Sequence, residues 1–215
     1  MSFNEVTLEL LQGFGITVLL FVLTWVLSIP LGLLFCRMSL SKNKALHAFM
    51  KGFVWVIRGT PLMLQIIVIF YVPGLLFQWQ STNRFVAALV ALSINYGIYF
   101  SEIFRSGYES VAPLQKDAAL MLGFSRGETF RHVLFLPILK KILPPLSNET
   151  ISLVKDTALA RVIAISEVLM TAQKIVATYA IIWVLFYTGA FYLLFNGILS
   201  LLLNKTEKSL DFFEA

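Results

Sequence analysis

Of the 215 residues, 58% are apolar and only 13% charged, where a soluble globular domain carries roughly a quarter charged residues; the composition argues against a soluble fold. A net charge of +5 would suit nucleic acid in a soluble chain, but here lysine and arginine gather in particular segments between apolar runs, where they report membrane topology. The length accommodates one membrane domain of a few helices and leaves too little for a folded enzyme domain, so the chain is either a subunit of a larger machine or a simple carrier.

Stretches free of Asp, Glu, Lys and Arg run for 27 residues after Glu9, 25 after Arg58, 17 after Arg84 and 30 after Lys174. Three of them exceed the ~20 residues that cross a bilayer core. The first predicted span covers residues 13–35, with a kink at Pro30. Glu5 and Glu9 stand before it in place of the basic region of a cleaved signal, so this span is expected to be retained. Cys36, the single cysteine, excludes an intramolecular disulfide. The second span opens at Arg58-Gly59-Thr60-Pro61, with Thr60 placed to cap the helix amides and Pro61 at the first helical position, and ends near Phe77. The third runs from Arg84 through Phe100 and must pass Glu102 to cross fully. The last covers residues 179–203.

Between the third and last spans, residues 132–155 are apolar overall yet include Lys140, Lys141, Pro144, Pro145 and Glu149. Five basic residues lie from Arg37 to Arg58 and six from Arg105 to Lys141, against one in the turn after Phe77. Cytoplasmic loops are the basic ones, which puts the amino terminus outside. Counting residues 132–155 as a span brings Lys205 and Lys208 to the cytoplasm. The expected fold is therefore an all-α integral membrane protein of five transmembrane helices, forming one domain over residues 1–215. A proline-bearing, charged span is physically acceptable only against protein or a water-filled path.

The segment at about 111–131 is too patterned for a linker. Pro113 suits the start of a short helix with Asp117 in its first turn, Ala118 and Ala119 follow, and Gly123 is placed to end it. Ser125 and Glu128 then form an S-x-x-E capping box. The expectation is two short helices meeting at a sharp corner, with the paired alanines either a smooth docking surface or simply good helix formers.

Asp117-Ala118-Ala119, Gly123 after three intervening residues, and Leu136-Pro137 resemble the EAA loop of the membrane subunits of bacterial ATP-binding cassette importers, with Asp in the place of the usual Glu. Arg58-Gly59-Thr60-Pro61, Leu143-Pro144-Pro145, Lys155-Asp156-Thr157-Ala158-Leu159 and Glu167 are similar to the permeases of the polar amino acid uptake branch. The resemblance implies a five-helix permease in the bacterial inner membrane, paired with an identical or sister permease and served by an extracytoplasmic amino acid binding protein. It also implies that Asp117, Ala118, Ala119 and Gly123 couple the chain to cytosolic ATPase subunits. The chain has no G-x-x-x-x-G-K-[ST] phosphate loop, so no cofactor is expected in it and ATP and Mg would be bound by the partner.

Polar residues inside the spans are the candidates for solute recognition. Asn95, Tyr99 and Glu102 share a helix face, and Glu102 is either a pathway residue or the partner of Arg105. Asn148, Ser152 and Lys155 share another, with Glu149 beside them and Asp156 beyond. They supply acceptors for an ammonium and a donor for a carboxylate, or alternatively a Lys155 to Asp156 network bracing a broken helix. Thr188, Tyr192, Asn196 and Ser200 repeat every four residues, as a packing seam or a solute path. His47 and His132 have no ligand-spaced partners for a metal, and no Ser, His and Asp set suggests hydrolysis. The chain is thus expected not to be an enzyme; the competing reading is an amino acid carrier or channel that works without ATP.

Overall fold

The computed structural model describes residues 1–77, 83–111 and 113–210, which form helices and turns. Helix α1 (Phe3–Ser39, 37 residues) begins well before residue 13. The reason is a capping box at its start: the Ser2 amide donates to Glu5 at 2.7 Å and the Ser2 hydroxyl accepts from the Glu5 amide at 3.4 Å. The helix continues through Pro30 to Arg37 in its last turn.

The basic segment that follows is not a loop. Asn43 caps α2 (Lys44–Gly59) by accepting from the Ala45 and Leu46 amides, and Leu46, Met50, Phe53, Val54 and Ile57 turn one apolar face toward the chain. α2 meets α3 (Leu62–Phe77) at 106°. Thr60 stands at the end of α2 and not as the cap of α3: its hydroxyl donates back to the Val56 carbonyl at 2.9 Å. Asn83 caps α4 (Arg84–Glu109), which passes Glu102 as the span length required.

α5 (Pro113–Met121) leads through Gly123 into α6 (Arg126–Glu128), a π-helix (Thr129–Leu134) and α7 (Phe135–Asp156). The last three form one continuous helical rod. The expected second short helix is therefore only the first turn of this rod, and its capping box starts an element that runs past Pro137, Pro144 and Pro145. A 3₁₀ stretch (Thr157–Ile163) ends at left-handed Ala164 (φ 58°). α8 (Val168–Tyr179) is capped by Glu167 and ends at left-handed Ala180 (φ 55°), which keeps Tyr179 out of α9 (Trp183–Leu210).

α1, α4 and α9 are long and apolar enough to cross a membrane, and the bent pair α2 and α3 would add one broken span. The centre of the fold is the crossing of α1 on α4. A Cβ at Gly32 would meet the Phe100 Cβ at 2.8 Å, and one at Gly97 the Leu31 Cβ at 3.0 Å, so these two glycines let the backbones approach as membrane helices do. Ser28 donates to the Ser93 carbonyl and Trp25 to Thr150, tying α1 to α4 and α7. α8 packs on α1, and α9 on α7 and α8. Two members of the row on α9 turn inward: Thr188 is buried, and Tyr192 donates to buried Glu167 at 3.3 Å. On the opposite face Leu193 and Leu201 are 76% and 73% exposed, a surface suited to lipid.

Candidate functional site

Two groups of residues stand out. The first is the α5 corner. The Gly123 amide donates to the Leu120 carbonyl at 3.0 Å and the Phe124 amide to Ala119 at 3.2 Å, with Gly123 at φ 88°. This is a Schellman ending, which satisfies the carbonyls left open at a helix C-terminus and requires a left-handed residue. Ser125 and Glu128 close the reciprocal capping box, with hydrogen bonds of 2.8 and 3.3 Å. Ser125, first through its side chain and then through its backbone, holds the exposed Glu128 carboxyl below the usual carboxylate range.

The structure separates the residues of this segment. Asp117 lies beyond the first turn of α5, which holds no acidic residue, so it does not sit at the positive helix end. Asp117 and Ala118 are exposed, whereas Ala119 is only 3% exposed on a helix that packs against the π-helix. The paired alanines thus face opposite ways: Ala119 seats α5 on its own chain, and Asp117, Ala118 and the corner at Gly123 remain open.

The second group surrounds the inner part of α4. Glu102 accepts two hydrogen bonds from Arg105, at 2.8 and 3.1 Å, and lies 3.7 Å from Arg58. Arg105 also reaches Glu109 at 2.8 Å, and the Arg58 guanidinium stands 5.3 Å from the centre of the Tyr99 ring. The Glu102 to Arg105 pair is therefore present, and Arg58 from the α2 to α3 corner joins it. Arg58, Tyr99, Glu102, Lys141 and Glu149 line a cavity of about 400 Å³. A second cavity, of about 580 Å³, shares Glu102 and Arg105 and extends to His47 and Lys51.

Asn95 lies one turn further along the same face of α4 and is 5% exposed. Its amide donates to Gln65 at 2.9 Å. Gln65 in turn directs its own amide to the Ile57 and Thr60 carbonyls and the Thr60 hydroxyl, at 2.8, 3.2 and 2.9 Å, and so holds the α2 to α3 corner. The remaining candidates do not converge on the cavity. Asp156 accepts from Tyr96 at 2.8 Å and makes no ion pair with Lys155. Asn148 and Lys155 are exposed and Ser152 half-buried, all on the outer side of α7.

Gln65, Tyr96 and Arg58 are the participants that residue patterns missed as site members. Gln65 had one signal, being the sole strongly polar side chain between Pro61 and Phe77. Tyr96 had none, because its partner Asp156 is 60 residues away.

Residues 28–211 match the family model described as binding-protein-dependent transport system inner membrane component. The nopaline transport system permease protein NocM of Agrobacterium fabrum is 35% identical over 192 residues, covering 85% of this chain and 78% of NocM. The arginine transport system permease protein ArtQ of Bacillus subtilis is 33% identical over 202 residues, with 94% and 92% covered. Among solved structures, an amino acid ABC transporter crystallised with histidines superposes at a TM-score of 0.86 and 29% identity over 96% of each chain. The inward-facing MetNI methionine ABC transporter, at 13% identity, superposes at 0.71 over 98% of this chain and 99% of its own, a likeness of fold alone. With a helical architecture built for a bilayer and a family match over most of its length, this chain belongs to the binding-protein-dependent transport system inner membrane components.

Proposed function

We propose that this permease subunit forms half of the solute path of an ATP-driven importer for polar amino acids, and that its α5 corner docks on the ATPase. The chain is a multi-pass membrane subunit and not an enzyme, since ATP hydrolysis belongs to the partner ATPase. The observation that carries the solute class is the cavity whose lining includes Glu102, Glu149, Arg58 and Lys141. A zwitterion needs acceptors for its ammonium and donors for its carboxylate, and both kinds are side by side here in a chain whose relatives NocM and ArtQ are named for nopaline and arginine.

In this reading the whole chain is one five-span domain: α1, the broken α2 and α3 pair, α4, the rod ending in α7, and α9. The amino terminus lies outside, and α5 and the carboxyl end face the cytoplasm. Exposed Asn148 and Lys155, with Ser152 between them, are poor neighbours for lipid, which supports a second permease subunit covering the outer side of α7. Asp117, Ala118 and Gly123 present the coupling surface, with Ala119 as its internal seat. An external binding protein delivers the amino acid, and Asn95, Tyr99, Glu102, Glu149 and Asp156 line or brace the path.

The test is reconstitution of the chain with its partner permease, ATPase and binding protein in vesicles. Uptake of a polar amino acid that requires ATP is expected. Uptake that proceeds down a gradient with the ATPase left out would replace the importer with an autonomous carrier.

A further inference from the structure

Beyond the path and the coupling corner, the chain has a third cavity of a different character. It measures about 630 Å³ and lies where α1 and α4 end and the rod begins; Leu33, Phe104, Phe130, Phe135 and Leu139 wall it, and Arg37 stands at its edge. Phe130 and Phe135 stack edge to face at 6.2 Å across the π-helix. They remain 46% and 49% exposed, and Leu33 55%. Such a slot between aromatic and aliphatic walls is unfavourable in water and suits an acyl chain.

The occupant is indicated by position and charge. Arg37 occupies the last turn of α1, where the 27-residue uncharged run has just ended, which is the depth of lipid phosphates. It is exposed, and among the described residues no ion pair engages it. An apolar slot with an exposed arginine at its rim, at a span end, fits a lipid with an anionic head.

We infer that this groove holds one anionic phospholipid of the leaflet adjoining α5, its acyl chain between Leu33, Phe104, Phe130, Phe135 and Leu139 and its phosphate against Arg37. The π-helix carries Phe130 on the lipid side and receives α5 on another, so the bound lipid braces the turn on which the coupling corner rests. The leaflet is the cytoplasmic one under the topology proposed above, but the lipid site itself stands on the groove and its rim.

The test uses the delipidated transporter, permease with its ATPase, titrated with phosphatidylglycerol and in parallel with phosphatidylcholine, with bound lipid read by native mass spectrometry. One phosphatidylglycerol per permease chain is expected. Arg37→Gln, at an exposed position, should weaken phosphatidylglycerol about fivefold, the effect of one interfacial cation, while leaving phosphatidylcholine unchanged. Leu139→Trp fills the groove and should lower occupancy by both lipids about tenfold. Equal phosphatidylglycerol affinity in the wild type and Arg37→Gln overturns the assignment. So does a Leu139→Trp protein that keeps its lipid; if it also splits the permease pair or sheds the ATPase, the groove is a protein interface.

Discussion

Gln65→Leu isolates the hydrogen-bonded pair at the α2 to α3 corner. Leucine nearly matches the volume, so the main loss is polar. Asn95, 5% exposed, would keep a donor with no partner, which costs about 1–3 kcal/mol, and the Ile57 and Thr60 carbonyls would lose a cap worth about 1 kcal/mol. The sum, about 2–4 kcal/mol, corresponds to a fall of about 4–16 °C in the thermal midpoint of a chain this size. Asn95→Leu alone strands only the half-buried Gln65 carbonyl oxygen and should cost less, about 1–2 kcal/mol. In the double variant neither buried amide is orphaned, so it should be more stable than the sum of the two losses by about 1–2 kcal/mol. Thermal unfolding of the detergent-solubilised transporter at fixed subunit composition measures this cycle. Additivity within about 0.5 kcal/mol would refute the pair as a structural unit. Uptake by the double variant then separates two roles of Asn95: restored stability without restored uptake assigns it to the solute, and restoration of both assigns it to the corner.

Gly123→Leu should reduce ATP-driven uptake several-fold while membrane insertion is unchanged, since a leucine at φ 88° costs about 1–2 kcal/mol even though its Cβ would meet nothing within 4 Å. Gly123→Asn should lose less, and equal uptake in both variants and the wild type would remove the corner from the mechanism. Glu149→Gln should change which amino acid stimulates ATP turnover, with the ATPase still bound; unaltered selectivity would leave recognition to the binding protein. Ala118→Arg should detach or uncouple the ATPase without destabilising the permease, whereas Ala119→Arg, at a 3% exposed position, should destabilise the permease itself by about 1–3 kcal/mol. Co-purification and thermal midpoints read against Lys44→Ala on α2 separate the two, and an Ala118→Arg protein that behaves like this control would exclude docking at the exposed face of α5.

Most of the architecture was legible because long-range order here follows local signals. Uncharged runs marked α1, α4 and α9, the Ser125 to Glu128 box marked a helix start, and Gly123 marked the corner. What stayed hidden has identifiable causes. A threshold on charge cut α1 at residue 13, although Ser2 and Glu5 carry the same box pattern that was recognised at Ser125. Counting Lys42, Lys44, Lys51 and Arg58 as loop charge hid the apolar face of α2 behind its basic one. Asp117 is the fifth residue counted from Pro113, past the 3.6 residues of a first turn, and the pattern alone does not fix which of Ala118 and Ala119 turns inward. The Asn95 to Gln65, Tyr96 to Asp156 and Arg58 to Glu102 pairs join residues 30, 60 and 44 positions apart. The first and third depend on the 106° bend between α2 and α3, the second on how α4 packs against α7, and no local rule sets either.

The rod from Arg126 to Asp156 gives these separate features a common mechanical basis. At 1.5 Å per residue the distance along it from the π-helix, where α5 is seated, to Glu149 at the cavity is about 30 Å, and seven residues on lies Asp156, held by Tyr96 of α4. Coupling between two distant sites requires an element that both of them bias. A continuous helix resists bending but tilts as a unit. Moving α5 would therefore shift Glu149 relative to Glu102 and Arg58, which belong to α4 and to the α2 to α3 corner. The wide turn at Thr129–Leu134 is one place where that lever can give, because its hydrogen bonds skip to the fifth residue, as in Phe135 donating to Phe130. Stiffening this turn is consequently as direct a way to alter coupling as changing the docking surface, and the two aromatic residues that bound it are those that wall the lipid groove.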